Sequence, residues 1–485
     1  MRDQRAEVSL NISPDRELES EPVESRDFRI LVVADFSGRG HGASLTNDMP
    51  RRVDRDDLDA HVARVAPRLR VDVGSSRADL AFASMDDFHP DRLAARLTAL
   101  LGSVDASVLD EPRREHAERT AGATSLPDIA RAVSGASLLD DMLDDSQPAR
   151  DAGSAVKSAA PARRDELSAF VERAVAPHIV RAPDAATAAR AVSEKERMTA
   201  LLRRILHHPR VQALESAWRT LEMLVRRLDT DGSLDVFLFD VPRDQVATAL
   251  ERVAARRSAA SDDSWAMVAL LHTFDEGDGG AEALARVAMA ARALGAPCVA
   301  SAPLALTGAQ SLAALGDDEI PYAPAPQVVG LIRHSLEARF LGLTFPRVLL
   351  RAPYGRENPC DTIDFEELDD PAVHAEYLWG SGAALVALLV GEAFNDRGWA
   401  IGARIPLDVG SLPYFTYRRG PETVAKSCAE MIMSERVARH LLSRGIMPVA
   451  WIKDTDRVRV VELRSVAEPF APLAAAWASG MGGGA

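Results

Sequence analysis

A chain of 485 residues is too long for one ordinary hydrophobic core, so two or three structural units are expected. Its 57 Lys and Arg against 72 Asp and Glu leave a formal net charge of −15, which repels phosphate backbones and argues against nucleic acid as a partner. The widely separated Cys298, Cys360 and Cys428 suit a reducing compartment and fit neither a disulfide framework nor a clustered zinc site. The charged stretch Met1 to Ser13 and the short apolar run Ala383–Val390 supply neither a signal core nor a membrane span, pointing to a cytoplasmic protein with no membrane insertion.

In chain order, Val8, Leu10 and Ile12 alternate with polar residues and predict a short half-buried strand. Phe28–Ala34 is a nearly continuous apolar run closed by Asp35, Phe36, Ser37 and Gly38, the pattern of a buried strand entering a turn. Leu58, Val62 and Val65 recur at helical spacing, Leu69, Val71 and Val73 at the strand period, and Leu80 to Phe82 forms another strand. Asp91–Leu101 follows Pro90 as a helix. Residues 103–164 are rich in Ala, Ser, Asp and Arg and are expected to be a linker holding at most short helices around Ile129–Val133 and Leu138–Leu143.

Beyond it, helices are expected over Glu194–His207, Val211–Arg227, Gln245–Ala255 and Ala281–Leu294. Strands are expected at Leu234–Asp240, Trp265–Leu271 and Cys298–Ala300. A short helix at Ser335–Leu341, an apolar segment at Val348–Leu350, a long helix over Tyr377–Phe394 and a helix over Ala429–Ser443 come next. Met447–Ile452 and Val458–Leu463 read as a hairpin. Alternating strands and helices predict an α/β fold. The expected organisation is two α/β domains with mixed sheets flanked by helices, 1–102 and 165–468, joined by the linker and followed by a flexible tail, 469–485.

Candidate chemistry is sparse. Gly38-Arg39-Gly40-His41-Gly42 follows a strand, yet Ala43 breaks the dinucleotide spacing and no phosphate-loop motif occurs, so a flexible turn is the expected reading. His207 and His208 are adjacent and therefore point to different helix faces; they read as a helix-end pair capping carbonyls. Gly380-Ser381-Gly382 reads as small residues that allow close packing, and Cys360 as a loop thiol without a His partner. The acidic pairs Glu366-Glu367 and Asp369-Asp370 read as solvated faces or helix-start charges. No catalytic residue, metal ligand or cofactor is expected, and the chain is expected not to be an enzyme.

The run Phe28 to Gly38, then Val53–Leu58 with Pro67–Leu69, then Phe82 with Asp86–Pro90, resembles, in family order, the small sheath subunit of type VI secretion systems (TssB-like). The second half resembles the large sheath subunit (TssC-like). The residues that carry this likeness are Ile205–Pro209 with His207, His208 and Pro209, and Leu214–Leu221 with Trp218 and Arg219. They continue through Leu343–Arg351 with Pro346 and Arg347, through Pro353-Tyr354-Gly355, Phe365–Glu367 and Tyr377–Gly380 with Trp379, and through Ser434–Arg436 to Asp456.

The resemblance implies a fusion of both sheath subunits in one bacterial chain, the large one shortened at its C-terminus. Its role would be structural: self-assembly with sheath subunits around an inner-tube ring protein and contraction to deliver effectors, with a baseplate and a disassembly ATPase as further partners. Asp165–Val175 is the candidate for the helix that such an ATPase recognises. Val8, Leu10 and Ile12 occupy the place of a strand donated between subunits, or form an edge strand of their own domain. The alternatives are a non-polymerising adaptor, cap or baseplate-associated protein, and a small-molecule enzyme using the Gly38–Gly42 turn as a phosphate site.

Overall fold

The computed structural model describes residues 27–101 and 185–478, apart from 41, 44–48, 74–75, 257–263, 275–277, 318, 325–326 and 402–404. Val8, Leu10, Ile12, the 103–164 linker and Asp165–Val175 lie outside the described residues.

The first strand decides the architecture. β1 (Phe28–Ala34) is apolar on both faces except for Arg29, as expected of a strand covered on both sides. It pairs in parallel with β5 (Leu234–Asp240) along its whole length, Phe28 opposite Leu234 and Ala34 opposite Asp240, and on its other side with β6 (Met267–Leu270). Beyond β6 follow β7 (Cys298–Ser301), β8 (Leu341–Phe345) and β14 (Ile446–Trp451), all parallel. Antiparallel strands close both ends: β2 (Arg51–Val53) on β5, and β15 (Val458–Val460) followed by β11 (Asp408–Val409) on β14. The result is one nine-stranded mixed sheet of order β11-β15-β14-β8-β7-β6-β1-β5-β2.

The expectation of two domains, each with its own sheet, is therefore corrected. The small-subunit-like segment supplies a central strand and an edge strand to the sheet built by the large-subunit-like segment, and both segments belong to one compact unit. A strand like β1 exposes two apolar faces and two rows of backbone groups, which a small separate segment has no means to cover.

Period-two alternation divides the core. Ile30 and Val32 belong to the buried layer that also holds α4 (Pro209–Arg227) and α8 (Ala383–Arg397), while Leu31 and Val33 point to the opposite layer, which holds α5 (Val246–Ala255), α6 (Asp278–Leu294) and α9 (Glu435–Ser443). On the first layer sit α1 (Leu58–Val65), the hairpin β3 (Arg68–Val73) with β4 (Ser76–Ala81), and α2 (Pro90–Leu101). In α3 (Ala185–Leu206), the buried residues Leu201, Leu202, Ile205 and Leu206 join that layer. The short helix α7 (Gln327–Arg333) lies in the second layer. The pairs β9 (Val348–Leu349) with β10 (Trp379–Gly380), and β12 (Phe415–Arg419) with β13 (Glu422–Lys426), stand outside the main sheet.

Several boundaries move. Tyr377 to Gly382 is not helical: Trp379 and Gly380 pair with Leu349 and Val348, and α8 begins only at Ala383. A side chain at Gly380 would strike Leu350 and one at Gly382 would strike Thr344, while the Ser381 and Ser301 hydroxyls meet at 2.9 Å; the small triplet does serve close packing. Ala429 to Ser434 is likewise not helical: α9 begins only at Glu435, with Ser434 capping it by accepting from the Val437 amide. The expected flexible tail is packed as far as Ala478: Leu473 and Trp477 are buried, and the Trp477 indole donates to the Ala266 carbonyl at 2.9 Å.

Candidate functional site

In the order β5-β1-β6-β7-β8, the chain winds outward in both directions from β1, the doubly wound pattern in which ligands bind at the carboxyl ends of the strands where the winding reverses. Here that place holds the Asp35 to Gly40 turn, Asp240 at the end of β5, and His272 after β6. The amides that would cradle a phosphate are already taken. Asp35 accepts from the Arg39 amide at 3.0 Å and the Gly40 amide at 2.7 Å, and Asp240 accepts from the Ser37 amide at 3.1 Å. Arg39 returns the charge, donating to Asp240 at 2.8 Å and to the Ser37 hydroxyl at 2.7 Å. Gly38 has φ 72° and a Cβ there would lie 2.7 Å from Leu69, so this turn closes only with glycine. Two internal carboxylates thus occupy the position of an external anion, and burial raises the Asp240 pKa.

His272 accompanies them, one ring nitrogen 2.9 Å from the Val241 carbonyl. Burial depresses its pKa from 6.5 to about 4. Protonation therefore opposes folding: the unfolded chain takes up the proton below pH 6.5 and the folded one only near pH 4. Stability should fall by about 3 kcal/mol from this residue as pH drops through that window. Denaturant titrations of wild type and His272→Gln at neutral and acid pH should show the variant losing less on acidification. Equal losses would remove His272 as the cause.

The second cluster ties α4 to the Arg351–Glu367 region later in the chain. On α4, Val211, Leu214, Trp218, Leu221 and Val225 form the apolar stripe, and Glu215 lies on the same buried face. A buried carboxylate needs a cation, and Arg351, just after β9, supplies it. The guanidinium donates to Glu215 at 2.8 Å and to both oxygens of Glu367 at 2.6 and 2.8 Å. Arg219 donates to Glu215 at 2.6 Å and to the Tyr354 hydroxyl at 3.2 Å, while the Tyr354 amide donates to Glu367 at 2.8 Å. Burial pushes the Glu367 pKa up, but the Arg351 guanidinium, helped by the adjacent His207, outweighs it and holds the pKa at about 2.

The reading of Glu366-Glu367 as a solvated face is thus corrected for Glu367, which is 1% exposed. The histidine pair is corrected too. His208 caps α4 by accepting from the Arg210 amide at 3.2 Å, with Pro209 at the first helical position, whereas His207 is buried 3.6 Å from Glu367.

The remaining motif residues are structural in the same sense. The Trp218 indole donates to the Phe36 carbonyl at 2.9 Å and its ring meets Phe36 edge-on at 5.0 Å, tying α4 to the first segment. Pro353 precedes Tyr354, and Gly355 exchanges backbone hydrogen bonds with Asn358 at 3.0 and 3.1 Å. Pro346 ends β8, and Arg347 grips Glu430 with bonds of 2.5 and 2.9 Å. Trp379 stacks on His374 at 4.7 Å, and its indole donates to the His374 carbonyl. Glu215, Arg351, Glu367 and Asp240 escaped the motif reading as a site. The signal for Glu215 was its place in the apolar stripe.

Among the described residues no helix is long and apolar enough to cross a membrane. Residues 191–467, more than half of the chain, match the VipB family, described as EvpB/VC_A0108, tail sheath N-terminal domain. Residues 2–105 match the T6SS_VipA family, described as type VI secretion system, VipA, VC_A0107 or Hcp2. A type VI secretion system sheath protein, TssC1, from Pseudomonas aeruginosa is 27% identical over 297 residues, covering 56% of this chain and 60% of the relative. The matched region therefore spans less than two thirds of that relative's length. Both matches fall on the segments whose motifs resemble the two sheath subunits, and the Trp218 contact with Phe36 joins those segments. The chain belongs to the VipB tail sheath family and carries a VipA-type segment ahead of it in the same polypeptide.

Proposed function

We propose that this chain is a structural subunit of a type VI secretion contractile sheath, assembling in the cytoplasm around the inner-tube ring protein and contributing to contraction-driven delivery without turning over a substrate. One observation carries the reading: β1 of the VipA-type segment lies between β5 and β6 of the VipB-type segment. The sheath unit is then built within one polypeptide, with a fixed one-to-one ratio of the two segments. The self-filled turn at the strand ends favours this reading over a nucleotide-dependent enzyme. The partners are further copies of the chain, the inner tube, the baseplate and a disassembly ATPase, the last reached through Asp165–Val175. Val8, Leu10 and Ile12 form the strand passed between neighbours, and the open edge of β2 or β11 accepts it.

Negative-stain microscopy of the purified full chain, with no other sheath protein added, tests this directly. Helical tubes are expected. Discrete particles that stay discrete on adding the inner-tube protein would instead favour an adaptor or a cap.

A further inference from the structure

We propose that His89, Asp91 and Cys360 form a binding site for one divalent zinc-class cation, located where α2 meets the loop after Gly355. Cys360 is 269 residues away from Asp91 in sequence, yet one ligand atom from each of the three residues lies within 4.8 Å of the other two. Tetrahedral coordination at about 2.0–2.3 Å from the metal sets donors roughly 3.3–3.8 Å apart, so closing the site takes movements of about 1 Å. All three side chains are partly buried, which leaves an ion a path in.

The surroundings hold these donors in place. Asp91 accepts from the Asp361 amide at 2.9 Å, the Thr362 amide at 3.1 Å and the Thr362 hydroxyl at 2.6 Å, which fixes the loop carrying Cys360 against the start of α2. His89 Nδ1 lies 3.4 Å from Asp91, and the imidazole meets the Tyr354 ring edge-on at 4.9 Å. Tyr354 is itself held by Arg219. Ligating carboxylates and imidazoles are ordinarily oriented by such outer contacts. Burial first, then the carboxylates of Asp91, Glu367 and Asp361, push the Cys360 thiol up to about 12 against the opposing Arg351, so the proton leaves only when a cation takes its place.

The donor set chooses the ion. One imidazole nitrogen, one carboxylate oxygen and one thiolate suit Zn²⁺ and Co²⁺, whereas Mg²⁺ and Ca²⁺ take oxygen throughout. On binding, the Cys360 S–H bond gives its proton to solvent as the sulfur–metal bond forms, with no change of oxidation state; water completes the fourth position. The bound ion would pin the Cys360 loop to α2 and so add a second brace between the VipA-type and VipB-type segments.

The test uses the full chain, stripped with a chelator, dialysed and titrated with Co²⁺, then with Zn²⁺ in competition with a chelating dye. One Co²⁺ per chain should bind with a thiolate-to-cobalt charge-transfer band that Zn²⁺ abolishes. Cys360→Ser should lose the band, and His89→Ala should weaken Zn²⁺ binding by at least about tenfold. Thr362→Ala, a positioning change, should keep the band and weaken binding by about tenfold. A wild-type chain without a thiolate band would overturn the site regardless of how any variant folds. So would Cys360→Ser binding as tightly as wild type.

Discussion

Arg351→Met should destabilise the unassembled chain by about 3–5 kcal/mol, because it strands two buried carboxylates that this guanidinium neutralises. Glu215 and Glu367 are 0% and 1% exposed, and Arg351 makes four of the hydrogen bonds they accept. Arg219 still reaches Glu215 and the Tyr354 amide still reaches Glu367, so the loss should not exceed that range. Arg351→Lys should fall in between, since an ammonium keeps the charge but not the fork that engages both carboxylates. Urea unfolding of the three proteins measures this. A loss below about 0.5 kcal/mol for Arg351→Met would mean the cluster is not what holds the Tyr354 to Glu367 region onto α4.

Trp218→Ala should cost about 3–5 kcal/mol through the cavity it leaves under the first segment. Trp218 is 0% exposed, packs edge-on against Phe36 and satisfies the Phe36 carbonyl. Trp218→Phe keeps most of the apolar area and removes only the donor, so about 1–2 kcal/mol is expected. The contrast separates packing from hydrogen bonding at the seam between the segments. The Phe36 neighbourhood should also lose amide-exchange protection in Trp218→Ala. Unchanged protection there would show that β1 is anchored by its strand pairing alone.

Much of the architecture could be read from residue order because it depends on local periodicity. The apolar run at Phe28–Ala34, the stripe on α4 and the alternation over Leu69, Val71 and Val73 each report which face is buried, and all three elements formed as expected. The sheath likeness was also legible, since its motifs are short contiguous runs. Where the pattern was ambiguous, local reasoning erred. Tyr377–Gly382 is apolar enough to continue a helix, but its backbone was claimed by pairing with β9.

Residue order alone carries no information about which distant groups meet. That β1 would sit between β5 and β6 follows from the burial of both its faces by elements about 200 residues away, a condition imposed by the assembled layers. Glu367 reads as a surface acid in any local window and becomes a core residue only because Arg351 and His207 converge on it. Trp477 sits in an Ala-rich stretch with no periodicity, and its burial depends on an open position beside Ala266 that only the completed sheet creates. Local spacing determines which elements form, whereas the desolvation of charges and the covering of strand faces are settled by long-range packing.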